Sequence, residues 1–125
     1  MSDQRFIIEM GTGNDLYGMD YTKAAIRAVE DAMRHSSIPL FERLGISHTQ
    51  MRVQVTIGVQ APSEVDLPAI AEYMPRGRVE VVAVAGGLNV TNSETDQTIV
   101  IATAAVEAFL PNQSAGWRVS NDPQT

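Results

Sequence analysis

Alternating apolar and polar residues predict most of the strands in this chain. The clearest alternation runs from Met51 to Val59, where valine, isoleucine or methionine occupies every second position. Such a period of two is typical of a strand with one buried face and one polar face. Shorter apolar runs predict strands at residues 6–10 and 79–85. Because the second of these is almost entirely apolar, we expect it at the centre of the sheet.

Helical signals occur in two places and conflict with a strand signal in a third. Asp20 is a suitable N-cap for a helix that runs to about His35 and has an alanine-rich inner face. The residues from Ser63 to Asp66 resemble a capping box that opens a short helix ending at Tyr73. The spacing of apolar residues at 98–110 fits a helix, but its first residues are β-branched. We predict a strand there.

The predicted order of elements is β-α-β-α-β-β. It indicates an α/β (α+β) domain over residues 1–110, with a mixed four-stranded sheet and both helices on one face. Residues 111–125 are predicted to form a loose polar tail, in which Trp117 is either exposed or docked on a neighbouring subunit. Helices on one face leave the other face of the sheet uncovered, so we expect a homo-oligomer.

Composition narrows the class of protein. The 125 residues suit one domain, and with no cysteine the chain has no disulfide, thiolate metal site or cysteine nucleophile. The net charge is −6 and the nine basic residues are scattered, which disfavours nucleic acid as a partner. No apolar run approaches the ~20 residues of a membrane span, and the first residues do not form a signal peptide. We therefore expect a cytoplasmic protein that binds neither membrane nor nucleic acid.

A glycine-rich segment at residues 11–18 stands between the first strand and the first helix. It lacks the third glycine of a dinucleotide fingerprint, because Leu16 occupies that position, and Asp15 and Asp20 would repel a phosphate. We therefore expect no cofactor. The segment is predicted to be a loop in which glycines approach a neutral polar ligand closely or adopt positive φ angles. The predicted ligand-binding residues are Gly11, Gly13, Asn14, Asp20, Gly86 and Gly87.

Catalytic chemistry is only weakly indicated. Glu9, Asp20 and Lys23 are the candidates for proton transfer, because they are the acids and bases nearest the glycine segment. A second hypothesis places a pocket on the polar strand face, which we define as Arg52, Gln54 and Thr56, with Glu9 and Asn89 converging on it. The two histidines, His35 and His48, have no metal-ligand spacing, so no metal is expected. The sequence leaves open an oligomeric enzyme, a ligand-binding module and an accessory subunit that binds a protein partner.

Two stretches carry a family resemblance. The first is residues 10–25, MGTGNDLYGMDYTKAA, and the second is residues 52–58, RVQVTIG, with Gly86-Gly87-Leu88 further on. Over roughly residues 5–110 the chain resembles a family of small bacterial proteins catalogued as conserved hypothetical proteins of listerial type. That family name implies no function.

A more distant resemblance is to one repeat unit of the cyanuric acid hydrolase and barbiturase group, which open cyclic amides. The helix at residues 24–33, the strand at 51–55 and the turn Ala85-Gly86-Gly87 are similar to parts of that unit. Those enzymes join three units around a central site and use a serine and a lysine, where this chain has Ala85 and Thr56. The resemblance therefore implies a threefold homo-oligomer with a small polar, cyclic amide-like ligand at a subunit interface, without that catalytic pair.

Overall fold

The fold was described from a computed structural model, which covers residues 3–34, 50–74 and 78–111. Predictions for His35, His48, Trp117 and the tail beyond residue 111 lie outside the described residues. The elements in chain order are β1 (Asp3–Asp15), α1 (Tyr21–Arg34), β2 (Arg52–Val59), a 3-10 turn (Pro62–Glu64), α2 (Leu67–Tyr73), β3 (Arg78–Ala85), β4 (Leu88–Thr91) and β5 (Thr98–Pro111). None of the described helices is long and apolar enough to cross a membrane.

The strands form one mixed sheet in the order β1-β5-β2-β3. β5 runs antiparallel to both β1 and β2, whereas β2 and β3 are parallel. β4 pairs with the first residues of β5, in line with β2, which pairs with later residues of the same strand. The predicted strand at 98–110 is confirmed, and β4 makes the sheet five-stranded rather than four-stranded.

Both helices pack on the same face of the sheet, as the sequence predicts. The alanines of α1 that face β1 and β5 are fully buried, which confirms the predicted alanine-rich contact. Ile70 of α2 joins the same core, and α2 packs against β3. The largest fully buried side chains are Ile57, Ile70, Leu110, Val29, Val55, Val59 and Val100.

β1 continues to Asp15, through the first part of the segment that the sequence predicts to be a glycine loop. Gly11 and Gly13 pair with Ala104 and Ala102 of β5, and both glycines are buried beneath α1. A Cβ atom on Gly11 would lie 2.5 Å from the carbonyl oxygen of Ala28, so only glycine lets the helix lie this close. The predicted loop at 11–15 and the predicted positive φ angles at these two glycines are therefore wrong.

β3 lies at the edge of the sheet, not at its centre as predicted. The central position is taken by β5, which inserts between β1 and β2. Val81 and Ala83 pack toward the core, but Val82 and Val84 are 39% and 48% exposed on the opposite face. The apolar run therefore does not indicate burial on both faces.

α2 begins three residues later than its predicted capping box. Asp66 is itself the N-cap, and its side chain accepts a hydrogen bond from the N–H of Ala69 at 3.1 Å. Pro68 follows in the first turn, where its missing N–H costs nothing. The residues at 62–64 form the separate 3-10 turn, so the predicted cap at Ser63 is wrong.

Candidate functional site

Asp15 organises the turn that joins β1 to α1. Its carboxylate is buried, and Oδ2 accepts hydrogen bonds from the N–H of Asp20 at 2.9 Å and of Gly18 at 3.1 Å. These donors, that of Asp20 first, hold the pKa of Asp15 below its ordinary value. Arg27 adds a positive charge 3.8 Å from Oδ1. The sequence signal for this role is the aspartate–glycine spacing of a turn closed by a side chain.

Asp20 begins α1 as predicted. Its Oδ1 accepts a hydrogen bond from the N–H of Lys23 at 2.9 Å, which is the geometry of an N-cap. Lys23 is exposed on the outer side of the helix. Between them, Thr22 accepts a hydrogen bond from the N–H of Asp66 at 2.9 Å and so ties the start of α1 to the start of α2.

The candidates for proton transfer are not brought together. Because β1 runs on to Asp15, Glu9 lies in mid-strand, opposite Val106. Asp15 is six residues further along the strand, which is about 20 Å at the usual strand rise. Asp20 and Lys23 follow the turn after Asp15, at the end of β1 that is remote from Glu9. Glu9 therefore does not share a site with them.

Gly86 and Gly87 form a crossing between β3 and β4. The N–H of Gly86 donates to the carbonyl of Val59 at 3.0 Å, and Gly87 has a positive φ of 62°. A Cβ atom on Gly87 would lie 2.8 Å from the carbonyl oxygen of Gly58, so main chain packs directly on main chain. Through this crossing the chain passes from the edge strand β3 to β4, which lies in line with β2. This accounts for both glycines, and their predicted contact with a ligand stays a prediction.

Asn89 lies on the helix face of the sheet, opposite Val100. Its Nδ2 donates a hydrogen bond to the hydroxyl of Tyr21 at 2.8 Å, and its Oδ1 is buried with no partner among the described residues. The polar strand face lies on the other side of the sheet. The hypothesis that Asn89 and Glu9 converge with them on one pocket is therefore wrong.

The sheet face opposite the helices is uncovered by the described residues, and we call it the open face. It carries large apolar side chains that are 39–69% exposed. They come from three of the five strands, which are β1, β3 and β4. These residues are Ile8, Met10, Val82, Val84, Leu88 and Val90.

Charged side chains gather at one end of the open face. The Nε of Arg52 donates a hydrogen bond to Oδ2 of Asp3 at 2.8 Å. The guanidinium carbon of Arg52 lies 4.0 Å from the centre of the Phe109 ring. The hydrogen bond lowers the pKa of Asp3 and raises that of Arg52. Arg5 pairs with Glu107 at 3.2 Å in the same region. Because these cations are already paired, this end of the face is not a ready anion site.

A polar corner lies at the other end of the open face. Thr12 of β1 is directly opposite Thr103 of β5, and Asn14 follows on β1; all three side chains are exposed. Asn14 pairs with Ile101, whose other neighbour is Leu88 at the start of β4. The structure thus places Asn14 and the Gly86–Gly87 crossing at one end of the sheet, two strands apart. Within the described ranges no cluster of His, Asp and Glu could hold a metal ion.

Comparison with known proteins gave a family and one related structure. The crystal structure of an FtsZ-like protein of unknown function from Nostoc punctiforme matches with a TM-score of 0.78 and 35% sequence identity, covering 90% of this chain and 99% of that one. No curated protein matches the chain. Residues 5–108 match the family described as conserved hypothetical protein, Lin0512_fam, which confirms the first resemblance; the likeness to cyanuric acid hydrolase is not among the matches. The chain therefore belongs to the Lin0512_fam family of conserved hypothetical proteins.

Proposed function

We propose that this protein is a cytoplasmic subunit of a homo-oligomer that binds a small polar molecule where its copies meet. The observation that carries the proposal is the open face. Exposed Met10 and Leu88, at 69% and 55%, lie among other apolar side chains on a surface that the described helices leave bare. A group of large exposed apolar side chains on one face is typical of an interaction site.

The size of the open face suits a protein contact. Four strand positions at ~4.8 Å and about ten residues at ~3.3 Å give roughly 600 Å². One side of a standard protein interface buries about 800 Å². The open face is therefore large enough to supply most of one side of a stable interface.

The charge of the open face favours another copy of this chain as the occupant. Its described residues carry three arginines and three carboxylates, so the face is neutral although the whole chain carries −6. Two copies repel each other through their remaining surface and meet most easily where the charge is balanced. The charged residues of the open face are Arg5, Arg52, Arg78, Asp3, Glu80 and Glu107. The distant resemblance to one unit of a three-unit protein supports a trimer.

The ligand is assigned to the polar corner of Thr12, Asn14 and Thr103. Hydroxyl and carboxamide groups both donate and accept hydrogen bonds and carry no charge. They match the alternating N–H and C=O groups of a cyclic amide. The corner is exposed in one chain and would be enclosed only when copies associate. The oligomer, rather than the single chain, would therefore bind the ligand. The proposal does not include catalysis, since Glu9 lies far from Asp20 and Lys23.

Light scattering tests the assembly. We expect a mass of three chains of 13.6 kDa, or a multiple of three, and a mass below three chains for Met10→Glu. The matched control is Tyr17→Glu, which charges a side chain that is 77% exposed in the turn outside the sheet and should leave the mass unchanged. A wild-type monomer would overturn the proposal. If that monomer formed a stable complex with another protein, the function would be that of an accessory subunit.

Calorimetric titration tests the ligand, with barbituric acid and cyanuric acid as the probes. We expect Asn14→Ala to weaken binding at least about tenfold, the effect of losing hydrogen bonds to a buried ligand group. Asp20→Asn keeps the N-cap and removes a charge, so it decides whether the site extends to α1. If neither probe binds to a confirmed oligomer, the cyclic amide assignment is wrong and the assembly stands.

A further inference from the structure

The outer edge of β3 presents backbone groups that no described strand pairs with. The N–H of Arg78 bonds to Met51 and that of Gly86 bonds to Val59, both at 3.0 Å, at the two ends of the parallel pairing with β2. In a parallel pair alternate residues direct both backbone groups to the neighbour. The even-numbered residues of β3 therefore face β2. The residues between them direct N–H and C=O outward, where no described strand pairs with them; they are Val79, Val81, Ala83 and Ala85.

Beyond Glu80, the described residues give this edge none of the devices that usually prevent pairing. Edge strands are normally blunted by charges, proline, bulges or a covering element. β3 pairs with β2 in uninterrupted register, contains no proline, and carries no charge after Glu80. Valine and alanine fill the remainder, so the strand is regular and favourable for pairing.

We propose that β3 pairs antiparallel with β3 of a second copy, about a two-fold axis at Val82, and joins two sheets into one. With this centre, Val79 lies opposite Ala85 of the second copy and Val81 lies opposite its Ala83. Every outward residue then exchanges both backbone hydrogen bonds with another outward residue. A centre at Val81 would leave Ala85 without a described partner, and a centre between two residues would oppose inward to outward groups.

The same register separates the charges. Arg78 lies opposite Gly86 of the second copy, and Glu80 lies opposite its Val84. No like charges face each other, which would be unfavourable in a cross-strand pair. The two open faces lie on the same side of the joined sheet. This contact goes beyond the proposed open-face contact and does not depend on it, since it uses the edge of the sheet rather than its face.

Cysteine cross-linking tests the register, because the chain contains no cysteine of its own. In Val82→Cys each new thiol is directly opposite its counterpart in a non-hydrogen-bonded pair, with Cα atoms about 4.5 Å apart. That distance is within the range of a disulfide. The matched control is Val84→Cys, also exposed on the same face, whose counterpart is four residues along the strand, about 13 Å away.

We expect Val82→Cys to form a disulfide-linked dimer under mild oxidation and Val84→Cys to stay uncross-linked. Cross-linking of both variants, of neither, or of Val84→Cys alone would overturn the proposal; failure of both is the result expected if the edge pairs with a different protein. The experiment is repeated with Met10→Glu added. Cross-linking that persists in this background separates the edge contact from the open-face contact.

Ala83→Pro provides a second readout. Its N–H points outward, and proline is tolerated on an edge strand where the lost N–H faces away from the sheet. We expect the melting temperature to be retained and the dissociation constant of the β3–β3 contact to rise at least about tenfold, measured by sedimentation. An unchanged dissociation constant with an unchanged melting temperature would overturn the proposal.

Discussion

The two edges of the sheet, β1 and β3, are built differently. At β1 the register shifts between Arg5 and Ile7, and side chains of α1 reach around to the outer backbone. Asp31 accepts a hydrogen bond from the N–H of Thr12 at 3.0 Å, and Arg27 donates to the carbonyl of Asn14 at 2.6 Å. At β3 the register is regular, and no described side chain bonds to its outward groups.

The difference shows that edge protection follows from helix packing. Gly11 and Gly13 bring the backbone of α1 against β1, which puts Arg27 and Asp31 within reach of its outer groups. α2 has only seven residues and packs on the face of β3, toward the core. One edge is therefore closed by its own helix, and the other is not closed by any described residue.

Gly13→Ala should have the largest effect, because it breaks the closed edge at its origin. The new Cβ atom would lie 2.5 Å from the carbonyl oxygen of Ala24, so α1 must move away. We expect the free energy of unfolding to fall by about 3 kcal/mol or more, measured by urea denaturation. Thr12→Ala, at the neighbouring exposed position, is the control and should change it by less than about 0.5 kcal/mol. A stable Gly13→Ala protein would contradict the close packing.

Asp15→Asn should rank second, because it weakens the turn that leads from β1 to α1. A buried acceptor of two backbone N–H groups is replaced by a weaker one, and we expect a loss of about 1–3 kcal/mol at neutral pH in urea denaturation. Asp20→Asn is the control for removing a carboxylate from the same turn, since asparagine caps a helix about as well.

The pH dependence of that loss gives a sharper test. Because the pKa of Asp15 is lowered in the folded protein, its contribution is present above the unfolded pKa of about 3.9 and is lost as pH falls through the folded value. The difference in stability between wild type and Asp15→Asn should therefore shrink in acid. A difference that stays constant from neutral pH into this acid range would show that the charge of Asp15 does not stabilise the turn.

Asp31→Ala should expose the outer backbone of β1 near Thr12, with a smaller loss of stability. The N–H of Thr12 loses a part-exposed acceptor, so we expect the free energy of unfolding to fall by about 1 kcal/mol. Hydrogen exchange of the Thr12 amide should accelerate, while that of the β5 amides should not. Glu30→Ala, the preceding residue on α1, is the control. Unchanged exchange at Thr12 would mean that Asp31 does not protect this edge.

Val84→Lys should have the smallest effect on folding and should make β3 resemble a protected edge. Val84 is 48% exposed, so the free energy of unfolding should change by less than about 0.5 kcal/mol. A lysine on the edge opposes strand pairing. Light scattering should then show weaker association with an unchanged melting temperature. Retained association would indicate that copies meet neither at this edge nor at Val84 on the open face.

Local signals in the sequence were sufficient for several elements. The alternation from Met51 to Val59 predicted β2, and Asp20 predicted the start of α1 together with its cap. β-branched residues predicted β5, and the alanine-rich helix face predicted close contact with the sheet. Each of these depends on residues only a few positions apart, so the information is present in the chain itself.

Long-range pairing decided the rest. Gly11 and Gly13 fit a loop as well as a strand beneath a helix. Only the close approach of α1 shows that they belong to a strand. The apolar run of β3 does not reveal that β5, far along the chain, takes the central position. The candidate site changed for the same reason: once β1 extends to Asp15, Glu9 lies about 20 Å along the strand from the turn that leads to Asp20 and Lys23. Strand order and the contacts of a glycine depend on residues brought together by folding, and a local pattern does not contain them.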